Sequence, residues 1–404
     1  MLALEGNKIL DLVDYPPGAL CTMILGDLGA EVIKIEAPSE SGGRGAWLGA
    51  TMKGGEEQIQ GAFDVLNRNK KSISLNLRPE KGRQIFYKLA KTADVIVEGF
   101  RPGVVKRLGI DYETMKKVNP RIIYCSLSGY GQDGPYSNLP GHDINYISMA
   151  GALSLIGTPD SPIIPLNLLA DFGGASLHGV IGILAALVAR DKTGKGQQVD
   201  IAFTDGVMSL LAWFTGGFLT SGTMFKRGET VFNGAFPYYS IYETKDGKYI
   251  SLGCIEPWFW KNLCHAIGKE EYIPYHFAPD HVFHKPEGGK WEEISSALKQ
   301  VFLTKTRDEW FELLAKKDVP VSKVYTLDEV FHDPQVLHRQ MVIEMEHPTL
   351  GKIRQPGIAI KLSETPGKVR HFSPYVGEHT KEILTELGYK QSQINELRQA
   401  KVIT

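Results

Sequence analysis

Apolar residues in the first 130 positions come in short runs of branched side chains, separated by longer amphipathic segments. Five of these runs predict β-strands, at residues 8–13, 31–36, 72–77, 94–97 and 121–128. Between them, residues 18–28 and 80–92 carry apolar side chains every three to four positions, which is typical of one face of a helix. This alternation of strands and helices predicts an open sheet of parallel strands.

Ligands of open parallel sheets bind beyond the carboxyl ends of the strands. The segments that follow Glu36, Val97 and Ser128 are therefore the first places to look for a binding site. All three are rich in Gly or Pro.

The second half of the chain no longer shows this alternation of strands and helices. Residues 172–190 are apolar nearly all round and predict a buried helix, and a further helix is expected at 205–214. Residues 238–244 and 248–252 flank a Lys-Asp-Gly turn and predict an antiparallel hairpin. The tail, 377–403, predicts two helices that pack back on the large domain.

Together these elements predict an α/β protein with a large, discontinuous, Rossmann-like domain and a smaller α+β domain. We expect the first part of the large domain at 1–221, the small domain at 222–323, and a returning C-terminal segment at 324–404. A chain of 404 residues is longer than one core usually grows, which excludes a single small module.

The charge balance argues against a nucleic acid as the main partner. Lys and Arg total 45 against 46 Asp and Glu, so the net charge of −1 offers no surplus for gripping a nucleic acid. No run of about 18 apolar residues predicts a membrane span, and no signal peptide is expected. The histidines form no HExxH or HxH pair, so we expect no metal site.

The cysteines and the C-terminus bear on the cellular compartment. The four cysteines are scattered and fit neither a disulfide framework nor a CxxC metal site, which favours a reducing cytosol. The final residues, Lys-Val-Ile-Thr, are not a peroxisomal signal. We therefore expect a cytoplasmic protein.

Three segments hold candidate chemistry, and each also has a purely structural interpretation. In residues 141–146, His142 is a candidate acid or base, or else a loop histidine beside an N-cap, Asp143. Asp171 precedes two glycines that leave room for a bulky ligand, or it caps the buried helix. Glu256, ahead of a proline and aromatic residues, is a rim residue or a partly desolvated acid.

At these three segments the chain resembles the α-methylacyl-CoA racemases, within the wider class III CoA-transferase (CaiB/BaiF) superfamily. The most diagnostic pieces are His-Asp-Ile-Asn-Tyr at 142–146 and Ile-Glu-Pro at 255–257. Further matching segments, typical of the whole superfamily, are residues 67–72, 97–103, 128–135, 194–197 and 377–384. The resemblance covers nearly the whole chain.

The resemblance implies racemisation of 2-methylacyl-CoA thioesters by proton transfer through an enolate. His142 and Asp171 match the pair of acid/base groups that such a reaction needs on opposite faces of the α-carbon. Glu256 matches the partner of that histidine, and Asn167 matches the asparagine paired with the aspartate. No cofactor is implied, because the thioester itself acidifies the α-carbon.

The resemblance also implies where CoA binds and how the chains associate. The matching CoA-binding positions are Asn67, Arg68, Lys70, Lys71, Ser72, Gly99, Phe100 and Arg107. Many relatives have an arginine directly after the second strand, where this chain has Ala-Pro-Ser, and Arg44 is the first arginine that follows. Relatives form interlocked homodimers, in which Glu256 would act across the interface.

A CoA-transferase is the competing hypothesis. Class III CoA-transferases use an aspartate at the position of Asp171 as a nucleophile that passes through acyl-anhydride and aspartyl-CoA intermediates. Asp171 alone fits both reactions. A transferase has no need of a second acid/base group at His142 backed by Glu256, so the sequence favours the racemase.

Overall fold

The computed structural model describes residues 1–38, 61–222, 224–276 and 289–404 of the chain. These residues form two compact units. The first comprises Met1–Ala150, Leu166–Leu210 and Gln335–Thr404, and the second comprises Gly151–Pro165 and Leu211–Pro334. The first unit is therefore assembled from three separate stretches of sequence.

A six-stranded parallel sheet forms the centre of the first unit. Its strands are β1 (Lys8–Asp11), β2 (Glu31–Glu36), β3 (Lys70–Ser74), β4 (Val95–Glu98), β5 (Ile123–Ser128) and β6 (Gln198–Ala202). Their order is β3-β2-β1-β4-β5-β6, and every neighbouring pair is parallel. The predicted open α/β sheet is thus confirmed, and β6 is an edge strand that the sequence did not predict.

The remaining strands are antiparallel. Strands β7 (Tyr239–Glu243), β8 (Tyr249–Gly253) and β9 (Val321–Val324) form a three-stranded sheet in the second unit. Strands β10 (Val342–His347) and β11 (Gly351–Pro356) form a hairpin in the first unit. The predicted hairpin between β7 and β8 is confirmed, with Gly247 at a φ of 71° in its turn.

Helices surround these sheets. In chain order they are α1 (Pro16–Asp27), α2 (Glu80–Thr92), α3 (Val104–Leu108), α4 (Tyr112–Val118), α5 (Asp143–Met149), α6 (Ala152–Leu155), α7 (His178–Thr193), α8 (Phe203–Leu210), α9 (Ala212–Ser221), α10 (Pro257–Ile267), α11 (Trp291–Phe302), α12 (Arg307–Ala315), α13 (Leu327–Val330), α14 (Pro334–His338), α15 (Thr380–Glu386) and α16 (Gln391–Gln399). A π-helix, Leu168–Leu177, runs directly into α7. Short 3₁₀ turns occupy Val65–Asn67, Val231–Asn233 and Glu270–Tyr272.

Each unit has its own apolar core. One face of the parallel sheet packs on α2 and on the two tail helices, through side chains such as Ile33, Phe86, Leu384 and Leu397. The prediction that the tail packs back on the large domain is confirmed. In the second unit, β7 and β8 pack on a core rich in tryptophan that includes Trp260. Burial of this apolar area is the main force that holds each unit together.

The segment predicted as an all-round buried helix differs from that prediction. The π-helix packs on α1, α5 and α8, and α7 packs on α1 and on strands β5 and β6. On the opposite face Leu177, Ile181 and Val188 are 48%, 61% and 57% exposed. The prediction of an all-round buried helix was wrong, because nothing in the described ranges covers these apolar side chains.

By length and composition, one helical segment in the described ranges could cross a membrane, namely Leu168–Thr193. In its most apolar window 44% of the residues are buried, and the core helix of a globular protein passes the same test. The absence of a membrane partner therefore stays a prediction.

Candidate active site

The strand order of the parallel sheet reverses between β1 and β4, which creates a crevice at their carboxyl ends. Gly99 directly follows β4 and lies against the chain that follows β1. A Cβ at this glycine would lie 3.1 Å from Val13 Cγ1 and 3.2 Å from Tyr15 Cε2. Both distances are shorter than ordinary van der Waals contact, so a side chain at this position would displace Val13 or Tyr15, and the two loops lie close together at the crevice.

Glu98, the last residue of β4, is a buried carboxyl group that the sequence did not single out. It is 1% exposed, and burial raises its pKa to about 7 against the effect of hydrogen bonds from Ser126 and from the backbone of Phe100. The Phe100 N–H donates to Oε2 at 2.9 Å. Glu98 therefore holds the loop that begins at Gly99.

Three of the predicted CoA-binding residues lie on this loop or just beyond it. Gly99 and Phe100 follow β4, and Arg107 lies in the last turn of α3, where its side chain is exposed. An exposed guanidinium near the carboxyl edge of a parallel sheet is available to a phosphate group. As CoA ligands these residues stay predictions.

The other predicted CoA-binding residues precede or begin β3, and most of their side chains are occupied within the protein. Arg68 pairs with Asp27, and the Lys70 ammonium donates to Asp11 Oδ2 at 3.0 Å and to Asn67 Oδ1 at 3.0 Å. Burial lowers the pKa of Lys70 to about 8, although Asp11 opposes this shift. A lysine buried among these acceptors has no free N–H for a phosphate.

The side chains of the next two residues are also engaged. The Lys71 ammonium donates to Glu382 Oε1 at 2.7 Å, and the Ser72 hydroxyl donates to Glu36 Oε2. Lys71 is only partly buried and so stays accessible. Arg44, the remaining candidate, lies outside the described residues.

His142 occupies the N-cap position of α5, one residue earlier than the aspartate to which the sequence gave that role. Its backbone N–H donates to Asn145 Oδ1 at 3.0 Å, which closes the first turn of the helix. The imidazole is exposed. The local fold thus presents this ring to solvent at the start of a helix.

Asp171 lies in the first turn of the π-helix and is partly buried. Burial raises the pKa of its carboxyl group, and the nearby charge of Asp143 adds to that effect. The Asn167 amide, which donates to Oδ2 at 3.1 Å, and the charge of His142 act in the opposite direction. His142 and Asp171, 29 positions apart in sequence, therefore lie within electrostatic reach of each other.

Asp143 is the residue whose contacts the sequence did not reveal. Its side chain, 5% exposed, does not cap its own helix. Oδ2 instead accepts hydrogen bonds from the backbone N–H groups of Ala170 at 2.8 Å and Asp171 at 2.9 Å. A buried carboxylate next to His142 in sequence thus holds the turn that carries Asp171.

Glu256 lies in the second unit, at the N-cap position of α10 just before Pro257. Its backbone is extended, as expected for a residue that precedes proline, and its side chain is partly exposed and makes no capping hydrogen bond. The carboxylate is therefore available to another group.

No group of three or more His, Cys, Asp or Glu side chains suited to a metal ion occurs within residues 1–38, 61–222, 224–276 and 289–404. The four cysteines are buried and unpaired.

Comparison with known proteins identifies the relatives of this site. Residues 4–380 match the model of a protein family described as CoA-transferase family III. The chain belongs to CoA-transferase family III. The resemblance drawn from the three motifs is thereby confirmed.

Relatives within CoA-transferase family III carry out different reactions. The alpha-methylacyl-CoA racemase of Homo sapiens is 35% identical over 408 residues, which cover 100% of this chain and 98% of the relative. The succinyl-CoA:glutarate CoA-transferase of Homo sapiens is also 35% identical, over 99% of this chain and 90% of the relative. Overall identity therefore does not select between the two activities.

A solved structure supports the same family. The crystal structure of a CAIB/BAIF family protein from Brucella suis superposes with a TM-score of 0.81 at 30% sequence identity. The match covers 96% of this chain and 99% of that one. This protein is accordingly an enzyme of the class III CoA-transferase family with the CaiB/BaiF fold.

Proposed function

We propose that this enzyme racemises or epimerises 2-methylacyl-CoA thioesters. The observation that carries the proposal is that two acid/base groups of different type, His142 and Asp171, lie near each other. The residue after His142, Asp143, accepts a hydrogen bond from the backbone N–H of Asp171, and the charge of His142 acts on the Asp171 carboxyl group. Moving a proton from one face of a carbon to the other requires two such groups, one in its basic form and one holding a proton.

The proton balance follows from these two groups. In one direction His142 removes the α-proton, the electron pair becomes an enolate conjugated with the thioester carbonyl, and a protonated Asp171 delivers its proton to the opposite face. In the reverse direction Asp171 is the base and a protonated His142 is the acid. Burial raises the pKa of Asp171, and this direction favours the scheme because it stabilises the protonated form that delivers the proton.

CoA transfer through an aspartyl intermediate is the second candidate. It is supported by the succinyl-CoA:glutarate CoA-transferase, which is as similar to this chain as the racemase is. In that reaction the Asp171 carboxylate attacks the thioester carbonyl and CoA leaves as a thiolate. This role has no need of a second acid/base group at His142.

We further propose a homodimer, in line with the resemblance. The exposed stripe of Leu177, Ile181 and Val188 runs along one helical face, and apolar stripes of this kind are usually covered by another surface. A second copy of the chain would cover it. In line with the resemblance, Glu256 of that copy would orient the His142 imidazole and stabilise its charge. We propose that the enzyme needs no cofactor and acts in the cytoplasm.

Deuterium uptake tests the proposal directly. The full-length enzyme is incubated in D₂O with one enantiomer of a 2-methylacyl-CoA, without any free acid as acceptor. Racemisation predicts deuterium at C2 and formation of the other enantiomer. No deuterium uptake, together with CoA transfer to an added acid and trapping of an acylated Asp171 by hydroxylamine, would instead establish the transferase.

A further inference from the structure

The turn that carries Asp171 is held by a carboxylate that belongs to neither the proposed acid/base pair nor the CoA site. Oδ2 of Asp143 accepts two backbone hydrogen bonds, from Ala170 and from Asp171 itself, at 2.8 and 2.9 Å. Two charge-assisted bonds to one oxygen fix the backbone of Asp171 more firmly than neutral bonds would.

The arrangement is costly for stability. Asp143 is 5% exposed, and its second oxygen, Oδ1, is buried without a hydrogen-bond partner. A buried carboxylate oxygen without a partner destabilises a fold, and such groups call for an explanation beyond packing. A neutral acceptor would hold the same N–H groups at lower cost.

Asp143 also connects the two proposed acid/base residues. It follows His142 directly in the chain, so the backbone that positions the imidazole also positions the carboxylate. The two side chains have opposite surroundings, since that of His142 is exposed and that of Asp143 is buried. One residue thus ties the first turn of α5 to the first turn of the π-helix.

We propose that Asp143 is a positioning residue, which holds the backbone of Asp171 in line with His142 and places a buried carboxylate beside it. The inference rests on the proposed racemase function. It deepens that function by naming the residue that couples the two proton carriers.

The electrostatic surroundings of Asp171 agree with this role. The charges that act on Asp171 are those of Asp143, which raises its pKa, and His142, which lowers it. Tyr146, whose own pKa burial raises to about 12, is neutral at the relevant pH and adds no charge. Among the residues that the structure describes, Asp143 is therefore the anionic neighbour that acts directly on Asp171.

Titration of Asp171 tests the proposal without relying on turnover. Full-length enzyme labelled with ¹³C-aspartate is titrated by NMR, and the Asp171 carboxyl signal is assigned by its loss in Asp171→Asn. Asp143→Asn retains an oxygen for the N–H groups but removes the charge. We expect the Asp171 titration midpoint to fall by roughly one pH unit in this variant. The acid limb of the α-proton exchange profile should move in the same direction.

A matched control removes the same charge elsewhere on the continuous helix. Asp191→Asn, at an exposed position in α7, should move the Asp171 midpoint by less than about 0.2 unit, because salt screens exposed distant charges. An unchanged midpoint in a folded Asp143→Asn protein overturns the proposal. If that variant does not fold, Asp143→Ser provides an uncharged acceptor. If neither folds, Asp143 is a stability element and the proposal is rejected.

The titration also separates the two levels of inference. An enzyme that exchanges no α-proton, yet whose Asp171 midpoint falls in Asp143→Asn, would reject the racemase and keep the electrostatic role of Asp143. An enzyme that exchanges the α-proton, but whose Asp171 midpoint is unchanged in Asp143→Asn, would keep the racemase and reject the role of Asp143.

Discussion

The side-chain amide of Asn167 donates a hydrogen bond of 3.1 Å to Oδ2 of Asp171, four residues further along the same helical turn. This bond stabilises the ionised carboxylate, while burial and Asp143 stabilise its protonated form. Opposing effects therefore act on the Asp171 carboxyl group, and burial, the largest of them, raises its pKa.

Replacement of Asn167 by alanine should raise the pKa of Asp171 further, because the ionised form loses its donor. We expect the acid limb of the profile for exchange by Asp171 to move up by roughly half a unit to one unit. The measurement is deuterium exchange at C2 as a function of pH. Asn138→Ala, at an exposed position, is the control, and a downward or absent shift would contradict the balance described above.

Asp171→Asn should stabilise the fold at neutral pH. The folded-state pKa of Asp171 is raised, so its contribution to stability is fully present below the unfolded value of about 3.8 and is lost as the pH rises through the folded value. The neutral amide avoids this loss. Because the side chain is partly exposed, we expect a gain of no more than about 1 kcal/mol at pH 7. Denaturant melts should show the gain shrinking as the pH falls towards 4.

His142→Ala should abolish proton removal from one enantiomer of the substrate and spare removal from the other. The loss should be on the order of 10²- to 10⁴-fold, since one acid/base group is missing. Exchange in D₂O is followed separately for each enantiomer, with CoA-ester binding measured alongside. His338→Ala, at an exposed position in α14, should leave both rates unchanged. Equal exchange from both enantiomers in His142→Ala would eliminate the two-base scheme.

Glu256→Gln should lower kcat more than it raises KM. In the proposed homodimer the Glu256 carboxylate stabilises the imidazolium that forms when His142 takes the proton, and the amide of glutamine would not supply that charge. Steady-state kinetics distinguish the two effects. Glu243→Gln, on β7, is the matched control for loss of an exposed carboxylate in the same unit. A change confined to KM would place Glu256 in substrate binding instead.

Asp27→Ala should destabilise the first unit, since Arg68 would be left buried without its partner. The two side chains are only 1% and 3% exposed and pair at 2.6 Å. Breaking a buried pair from one side costs about 3–5 kcal/mol. Urea unfolding measures the loss, and Glu80→Ala, which breaks the exposed pair with Arg83, should change the midpoint little. A stable Asp27→Ala protein with weakened CoA binding would instead support Arg68 as a CoA ligand.

Several elements were predictable because local pattern alone specifies them. The branched apolar runs gave the interior strands β1, β2, β4 and β5, because strands buried on both faces have few polar positions. The strand at Gln198–Ala202 was missed, since at the edge of the sheet its polar residues face outwards and break the apolar run. Exposure of Ile181 was also not predictable, because hydrophobicity does not reveal which apolar face lacks a partner in a single chain.

The sequence by itself determined the class of the sheet, the hairpin, the tail helices and, through its motifs, the family. Only the tertiary structure decided that Asp143 serves a neighbouring helix rather than its own, and that Arg68 and Lys70 are occupied by Asp27 and Asp11. The physical reason is the separation in sequence between the residues that interact. Strand and helix patterns are set by neighbours along the chain, whereas the partner of a buried charge is chosen by whichever residue the fold brings within hydrogen-bond distance.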